Sequence, residues 1–360
     1  MFPIGPGLER RLRGSGSLGS RLRARLLEHH RSGSCQIDQP MLLISQLPRM
    51  GGSGLNQRLD HHPAIWSIPA ELHIGYPKKW DWPKRQWADL PASRIYDLLA
   101  GCGPKQDLTS RDLFFKGSED RLPMNMLPRV GSSLFRAILA MADPAVSPDG
   151  RGAPTPIRRC LNAFFSTYFL TWLDHQNKYT PPGCKRYVAG HAAILAIEPG
   201  FLEVFRQDYP DGRIVHLIRD PHSWYNSIKG LGKEGLPQGS YSHYCGLDQA
   251  VEAYRLFARM VKQNLAAWPE GILAVRFQDF ARRPEAMMRV LAHWLGIEYS
   301  PVLLESTFNG MPIRPNTSFP GQRSDLIGER EQERLAPLIP LFEELESLCV
   351  PIGEVPEASG

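Results

Sequence analysis

The stretch Met41-Leu-Leu-Ile-Ser-Gln-Leu-Pro-Arg-Met-Gly-Gly-Ser-Gly-Leu55 sets a short apolar run directly before a turn of small residues. The run reads as a buried strand. Leu55 and Leu59, at helical spacing before Pro63, predict a helix from Gly54 to His62. A strand, a glycine-rich loop and a helix in that order turn several backbone N–H groups, and the positive end of the helix dipole, towards an oxyanion. The expected ligand is therefore a phosphate or a close chemical relative. No Lys-Ser or Lys-Thr pair follows Gly54, which disfavours a nucleoside-triphosphatase loop. Gly52-Ser-Gly54 is followed by Leu-Asn-Gln, so the third glycine of the dinucleotide fingerprint is absent as well.

Outward from this stretch, the chain alternates strands with helices. Trp66 to Ile74 reads as extended, Cys160 to Asn177 as an aromatic helix, and Arg186 to His191 as a strand. A helix over Glu198 to Asp208 and a buried strand over Arg213 to Ile218 follow. Then come a long helix from Asp248 to Trp268, a strand over Ile272 to Val275, and a helix from Pro284 to Leu295 with proline in its first turn. This alternation predicts an α/β fold with a central parallel sheet covered by helices on both faces. Residues 39–350 are expected to form one domain, with a helical and loop insertion at about 76–180 acting as a cap. Leu127-Pro-Arg-Val-Gly-Ser-Ser-Leu134 echoes the loop at 47–54, but the residues before it make no convincing strand, and the first copy is preferred.

With 360 residues, 42% of them apolar, the chain can bury a full core, and its formal charge of +5 selects no function. Six scattered cysteines without C-x-x-C spacing argue against a zinc cluster or a disulfide framework and suggest a reducing, cytoplasmic setting. No apolar run approaches the roughly 20 residues that span a bilayer. Residues 1–38 carry seven arginines among many Gly and Ser, and read as a basic arm capable of weak contact with an acidic surface. No aromatic-basic motif accompanies it, so nucleic-acid binding is not expected.

A second constellation, Arg219-Asp-Pro-His-Ser-Trp-Tyr-Asn-Ser227, begins where the strand 214–218 ends. Ligands of parallel sheets bind at such strand ends, and arginine presents a planar fork of donors suited to phosphate. Together the two constellations resemble the sulfotransferases that use 3'-phosphoadenosine 5'-phosphosulfate, with particular likeness to the bacterial and tyrosine-sulfating branches. The family's P-[RK]-S-G-[ST]-[ST] loop is matched by Pro48-Arg49-Met50-Gly51-Gly52-Ser53. Its R-[DN]-P strand end, with a serine eight positions after the arginine, is matched by Arg219, Asp220, Pro221 and Ser227. His62-Pro63, Val275-Arg-Phe-Gln-Asp-Phe280, Arg283-Pro284 and Trp294-Leu-Gly-Ile297 agree with lesser family features, so the resemblance runs in order from about Met41 to Phe319.

The resemblance implies a P-loop-like sulfotransferase fold with this nucleotide as co-substrate and no metal. It places Arg49, Met50, Gly51, Gly52, Ser53, Gly54 and Leu55 at the 5'-phosphosulfate, and Arg219 and Ser227 at the 3'-phosphate. Ser318 and Arg323, in a late polar loop, are further candidates for the 3'-phosphate. Met50 and Gly52 stand where relatives carry hydroxyl side chains, which leaves backbone N–H groups and Ser53 to compensate. Arg49 suits the developing charge on the departing phosphate oxygen. Glu71 is the preferred general base, ahead of His191, which holds the strand-end position used in cytosolic relatives, and of His73. A histidine base would make the rate fall below about pH 6.5. The acceptor is an unspecified hydroxyl of a carbohydrate, lipid or phenol, for which Trp80, Trp82, Trp87, Phe114, Phe115, Tyr168 and Trp172 are candidate lining. A catalytically degenerate nucleotide-binding homologue and a P-loop-like kinase are the alternatives.

Overall fold

The computed structural model describes residues 37–72, 135, 156–171, 184–229, 244–308, 311–312 and 327–352. The basic arm, most of the expected cap, His73, Ser318, Arg323 and the candidate acceptor-lining aromatic side chains lie outside the described residues. Five parallel strands form the centre: β1 (Met41–Ile44), β2 (Ile65–Glu71), β3 (Tyr187–His191), β4 (Arg213–Ile218) and β5 (Ile272–Arg276), in the spatial order β2-β3-β1-β4-β5. Between and after them run α1 (Gly52–Leu59), α2 (Pro156–Thr171), α3 (Phe201–Asp208), α4 (Pro221–Lys229), α5 (Leu247–Ala267), α6 (Phe277–Arg282) and α7 (Pro284–Leu295). Two short strands, β6 (Thr307–Phe308) and β7 (Met311–Pro312), pair antiparallel before α8 (Glu329–Leu335) and α9 (Ile339–Ser347).

Side chains alternate across a strand with period two, so a sheet covered on both faces must be apolar at every position. In β1, Met41 and Leu43 face a core built with Phe165 of α2, Phe205 of α3, Trp224 of α4 and Tyr254 of α5. Leu42 and Ile44 face the opposite core with Leu55 and Leu59 of α1, Phe277 and Phe280 of α6, and Leu291 of α7. The α/β architecture expected from the alternation is therefore the observed one.

The element boundaries differ for local reasons. α1 begins two residues early, because Gly51 adopts φ 103° and turns the chain into the helix. α3 starts at Phe201 rather than at Glu198: Pro199 biases Glu198 away from helical geometry, and Gly200 at φ 76° is left-handed. β2 pairs with β3 from Ile65↔Tyr187 to Ser67↔Ala189, then slips before pairing again at Glu71↔His191. Pro69 sits in the slip, where its missing N–H cannot serve a ladder. Asn56 of α1 spans the defect by donating its side-chain amide to the Ile68 carbonyl, while Ser67 Oγ donates to Asn56 O at 3.2 Å.

Candidate functional site

β1 lies between β3 and β4, and the connections out of the adjacent strands β1 and β3 run to opposite faces of the sheet, through α1 on one and α3 on the other. The crevice at such a switch point, beyond the carboxyl ends of the strands, is where open parallel sheets take ligands. The segment 45–51 fills that position. It is pinned by Ser45 N donating to Val215 O at 3.0 Å, and by Ile194 N donating to Gln46 O at 2.9 Å. Trp224 Nε1, buried in α4, donates to Pro48 O at 2.7 Å, so the loop rests on the helix that carries the second constellation. Among the described residues the two non-glycine positions with positive φ, Arg49 at 68° and Ile194 at 76°, both belong to this region. A β-branched residue in that conformation is strained, and such strain concentrates at working sites.

The two constellations meet. Arg49 Nε donates to Ser227 Oγ at 3.2 Å, and Arg219 Nη1 donates to the Arg49 carbonyl at 2.5 Å. Arg219 is 1% exposed, donates through Nε to Ser223 Oγ at 3.3 Å, and lies with its guanidinium 4.4 Å from the Phe277 ring centroid. Tyr254 Oη holds its backbone by donating to the Arg219 carbonyl at 2.8 Å. Asp220 Oδ1 accepts from Ser223 N at 2.8 Å, which caps the start of α4. Burial pushes the Arg219 guanidinium down to about 9, the nearby Arg49 cation adds to the shift, and Asp220 offsets part of it. Among the described residues Arg219 Nη2 is buried with no hydrogen-bond partner. A desolvated cationic donor without an acceptor is costly, and the arrangement is able to take an anion.

The other residues expected at the loop divide by direction. Met50 and Leu55 are fully buried in the two cores, so their side chains serve packing and their backbone faces the loop. Gly51 and Gly52 are required by close neighbours: a Cβ on Gly51 would lie 2.6 Å from the Phe277 ring, and one on Gly52 would lie 2.3 Å from Gln46 Nε2 and 2.6 Å from the His191 ring. A hydroxyl side chain at position 52 has no room here. Gly52→Ala is accordingly expected to cost about 1 to 3 kcal/mol, the usual cost of overpacking. Urea unfolding measures it, and an unchanged midpoint would show that Gln46 and His191 do not pack where they stand.

Glu71 and His191 are register partners at the ends of β2 and β3, so the two candidate bases are neighbours. Leu72 N donates to His191 O at 2.7 Å and extends the pairing one residue further. Glu71 is half-buried. His191 is buried, its Nε2 lies 2.7 Å from Gln46 Nε2, and its Nδ1 lies 3.5 Å from Ser53 Oγ. Burial pushes its ring down to about 4. The expectation that a histidine base would lose activity below pH 6.5 is therefore corrected, because desolvation keeps this imidazole neutral well below that. His62 is a structural residue: its Nδ1 accepts from Ala64 N at 3.1 Å, leaving Nε2 to donate to Glu298 O at 3.0 Å. Sequence reasoning missed Gln46, Asn56, Trp224, Tyr254 and Phe277. All five act through contacts between segments distant in the chain; Trp224 and Phe277 fell inside quoted motifs and Gln46 inside the opening stretch, but none of the pattern readings gave them a role.

Among the described residues no group of His, Cys, Asp or Glu is placed to hold a metal ion, and no helix is long and apolar enough to cross a membrane. The model of a sulfotransferase family matches residues 159–301, which take in His191, Arg219 and Ser227 but neither the loop at 48–53 nor Glu71. No curated protein matches the chain. Among solved structures, a sulfotransferase domain from the curacin biosynthetic pathway is 15% identical, with 84% of this chain and 98% of that one covered at a TM-score of 0.42. A sulfotransferase from Alicyclobacillus acidocaldarius is 17% identical, with 87% and 98% covered at 0.40. One from Mycobacterium avium is 16% identical, with 98% and 88% covered at 0.43. The family match over residues 159–301 falls on α2, β3, β4, β5 and the helices α3 to α7 of this five-stranded parallel α/β fold, and in that stretch the chain is similar to a sulfotransferase family.

Proposed function

We propose that this enzyme moves the sulfuryl group of 3'-phosphoadenosine 5'-phosphosulfate to a hydroxyl of a small-molecule, glycan or lipid acceptor in the cytoplasm. The observation that carries the choice of donor is the buried, unpartnered Nη2 of Arg219 beside the Arg49–Gly51 turn. Those residues fit a ligand with two anionic ends. Backbone N–H groups at the start of α1, which has no side-chain cap, together with Ser53, would take the 5'-phosphosulfate. Arg219 and Ser227 would take the 3'-phosphate.

In the reaction the acceptor oxygen attacks sulfur, and the bond from sulfur to the 5'-phosphate oxygen breaks. The acceptor's proton passes to the Glu71 carboxylate, and the electron pair leaves on the phosphate, beside which Arg49 supplies a fixed cation. His191, held neutral in its burial, is assigned to positioning rather than to proton removal.

Calorimetry tests the donor directly. The product nucleotide, 3'-phosphoadenosine 5'-phosphate, is expected to bind without magnesium and much more tightly than adenosine 5'-phosphate. Magnesium-dependent ATP binding in its place would establish a kinase. Tight binding of the 3'-phosphorylated nucleotide without sulfuryl transfer to any acceptor, in a screen of phenols, glycans and hydroxylated lipids, would make the chain a nucleotide-binding homologue.

A further inference from the structure

Gln46 belongs to none of the sequence motifs, yet it meets both the anion loop and the loop after β3. Its carbonyl accepts from Ile194 N at 2.9 Å, which ties down that strained residue, and its side-chain amide reaches the His191 ring at 2.7 Å. Both side chains are buried. We propose that Gln46 and His191 are positioning residues forming a hydrogen-bond relay to Ser53, which turns the Ser53 hydroxyl proton outward to the anion in place of the side-chain donor absent at Gly52. The proposal rests on the donor-binding reading above.

The argument is one of proton placement. A neutral imidazole carries a single N–H. If Gln46 Nε2 donates to His191 Nε2, the ring proton sits on Nδ1, 3.5 Å from Ser53 Oγ. Ser53 then accepts from the ring, and its own proton is directed elsewhere. Reversing the Gln46 amide would put the ring proton on Nε2, make Nδ1 an acceptor for Ser53, and aim the hydroxyl lone pairs at the anion. The reversed arrangement would also strand a buried NH2 group, whereas the observed one leaves Gln46 Oε1 without a partner among the described residues. Orphaned buried donors are rarer in proteins than under-satisfied carbonyls. The relay also explains Gly52: any side chain there would occupy the space of Gln46 Nε2 and the His191 ring.

The test uses the full-length protein with 3'-phosphoadenosine 5'-phosphate. Nitrogen-15 NMR is expected to report the Nδ1–H tautomer at His191, and the Nε2–H tautomer would overturn the relay. Gln46→Met keeps the bulk and removes the donor, while Ser53→Ala removes the end of the chain. Each is expected to weaken nucleotide binding roughly 3- to 10-fold, the worth of about one hydrogen bond. The double variant should be no weaker than the worse single one, and multiplying losses would show two independent effects and overturn the relay. Should Gln46→Met fail to fold, the wild-type tautomer decides alone. Failure of the wild type to bind the nucleotide would overturn the donor reading, and the relay with it. Binding with the Nε2–H tautomer would overturn the relay alone.

Discussion

Glu71→Gln is expected to lower turnover by about 100- to 10,000-fold, the usual worth of a positioned general base, with nucleotide affinity nearly unchanged. The substitution keeps the size and the hydrogen-bonding reach of the side chain while removing its capacity to take a proton. Glu71 stands at the end of β2, register-paired with His191 of β3, and the loop at 45–51 runs from β1 on the far side of β3. His191→Asn supplies the comparison. As a positioning residue His191 should cost turnover far less than Glu71, whereas a histidine base would reverse the ranking. The acid limb of the rate profile does not separate the two. Burial holds His191 neutral down to about 4, close to where an ordinary glutamate also titrates. Full turnover by Glu71→Gln at saturating acceptor would end its candidacy.

Arg219→Met should weaken binding of 3'-phosphoadenosine 5'-phosphate by about 10- to 100-fold, since hydrogen bonds to charged groups are worth about 1.5 to 3 kcal/mol. The same change should leave adenosine 5'-phosphate affinity nearly untouched, because in the proposed assignment the hydrogen bond it removes would be made to the 3'-phosphate. The stability of the unliganded protein gives a second signature. Arg219 is a buried cation beside Arg49, with Nη2 unpartnered. Replacing an incompletely paired buried charge by an apolar side chain of similar length is often neutral or stabilising. Methionine here would also forfeit the bond to the Arg49 carbonyl and the stacking on Phe277. A melting temperature held or raised while affinity falls marks a residue kept for its ligand, whereas a large fall in stability with affinity intact would mark a structural arginine.

The order of elements and the parallel α/β class were legible in the sequence because they rest on short-range physics. Apolar runs such as Ile214 to Ile218 are continuous where both faces of a strand are buried, and Pro284 and Gly296 punctuate a helix through their own backbone preferences. The spacing of Arg219 and Ser227 was legible for the same reason, since a strand end and the helix after it fix their separation. Other features were decided only by tertiary structure. Whether Gly52 is a missing donor or a needed space depends on Gln46, six residues earlier, and on His191, which packing brings against it from another strand. The protonation of His191 depends on burial by segments far away in the chain. The pairing of Glu71 with His191 depends on a slip at Pro69 spanned by Asn56 from α1. Local pattern records which residues prefer which backbone, but burial and partner choice are properties of the assembled core, and no single stretch of this chain contains them.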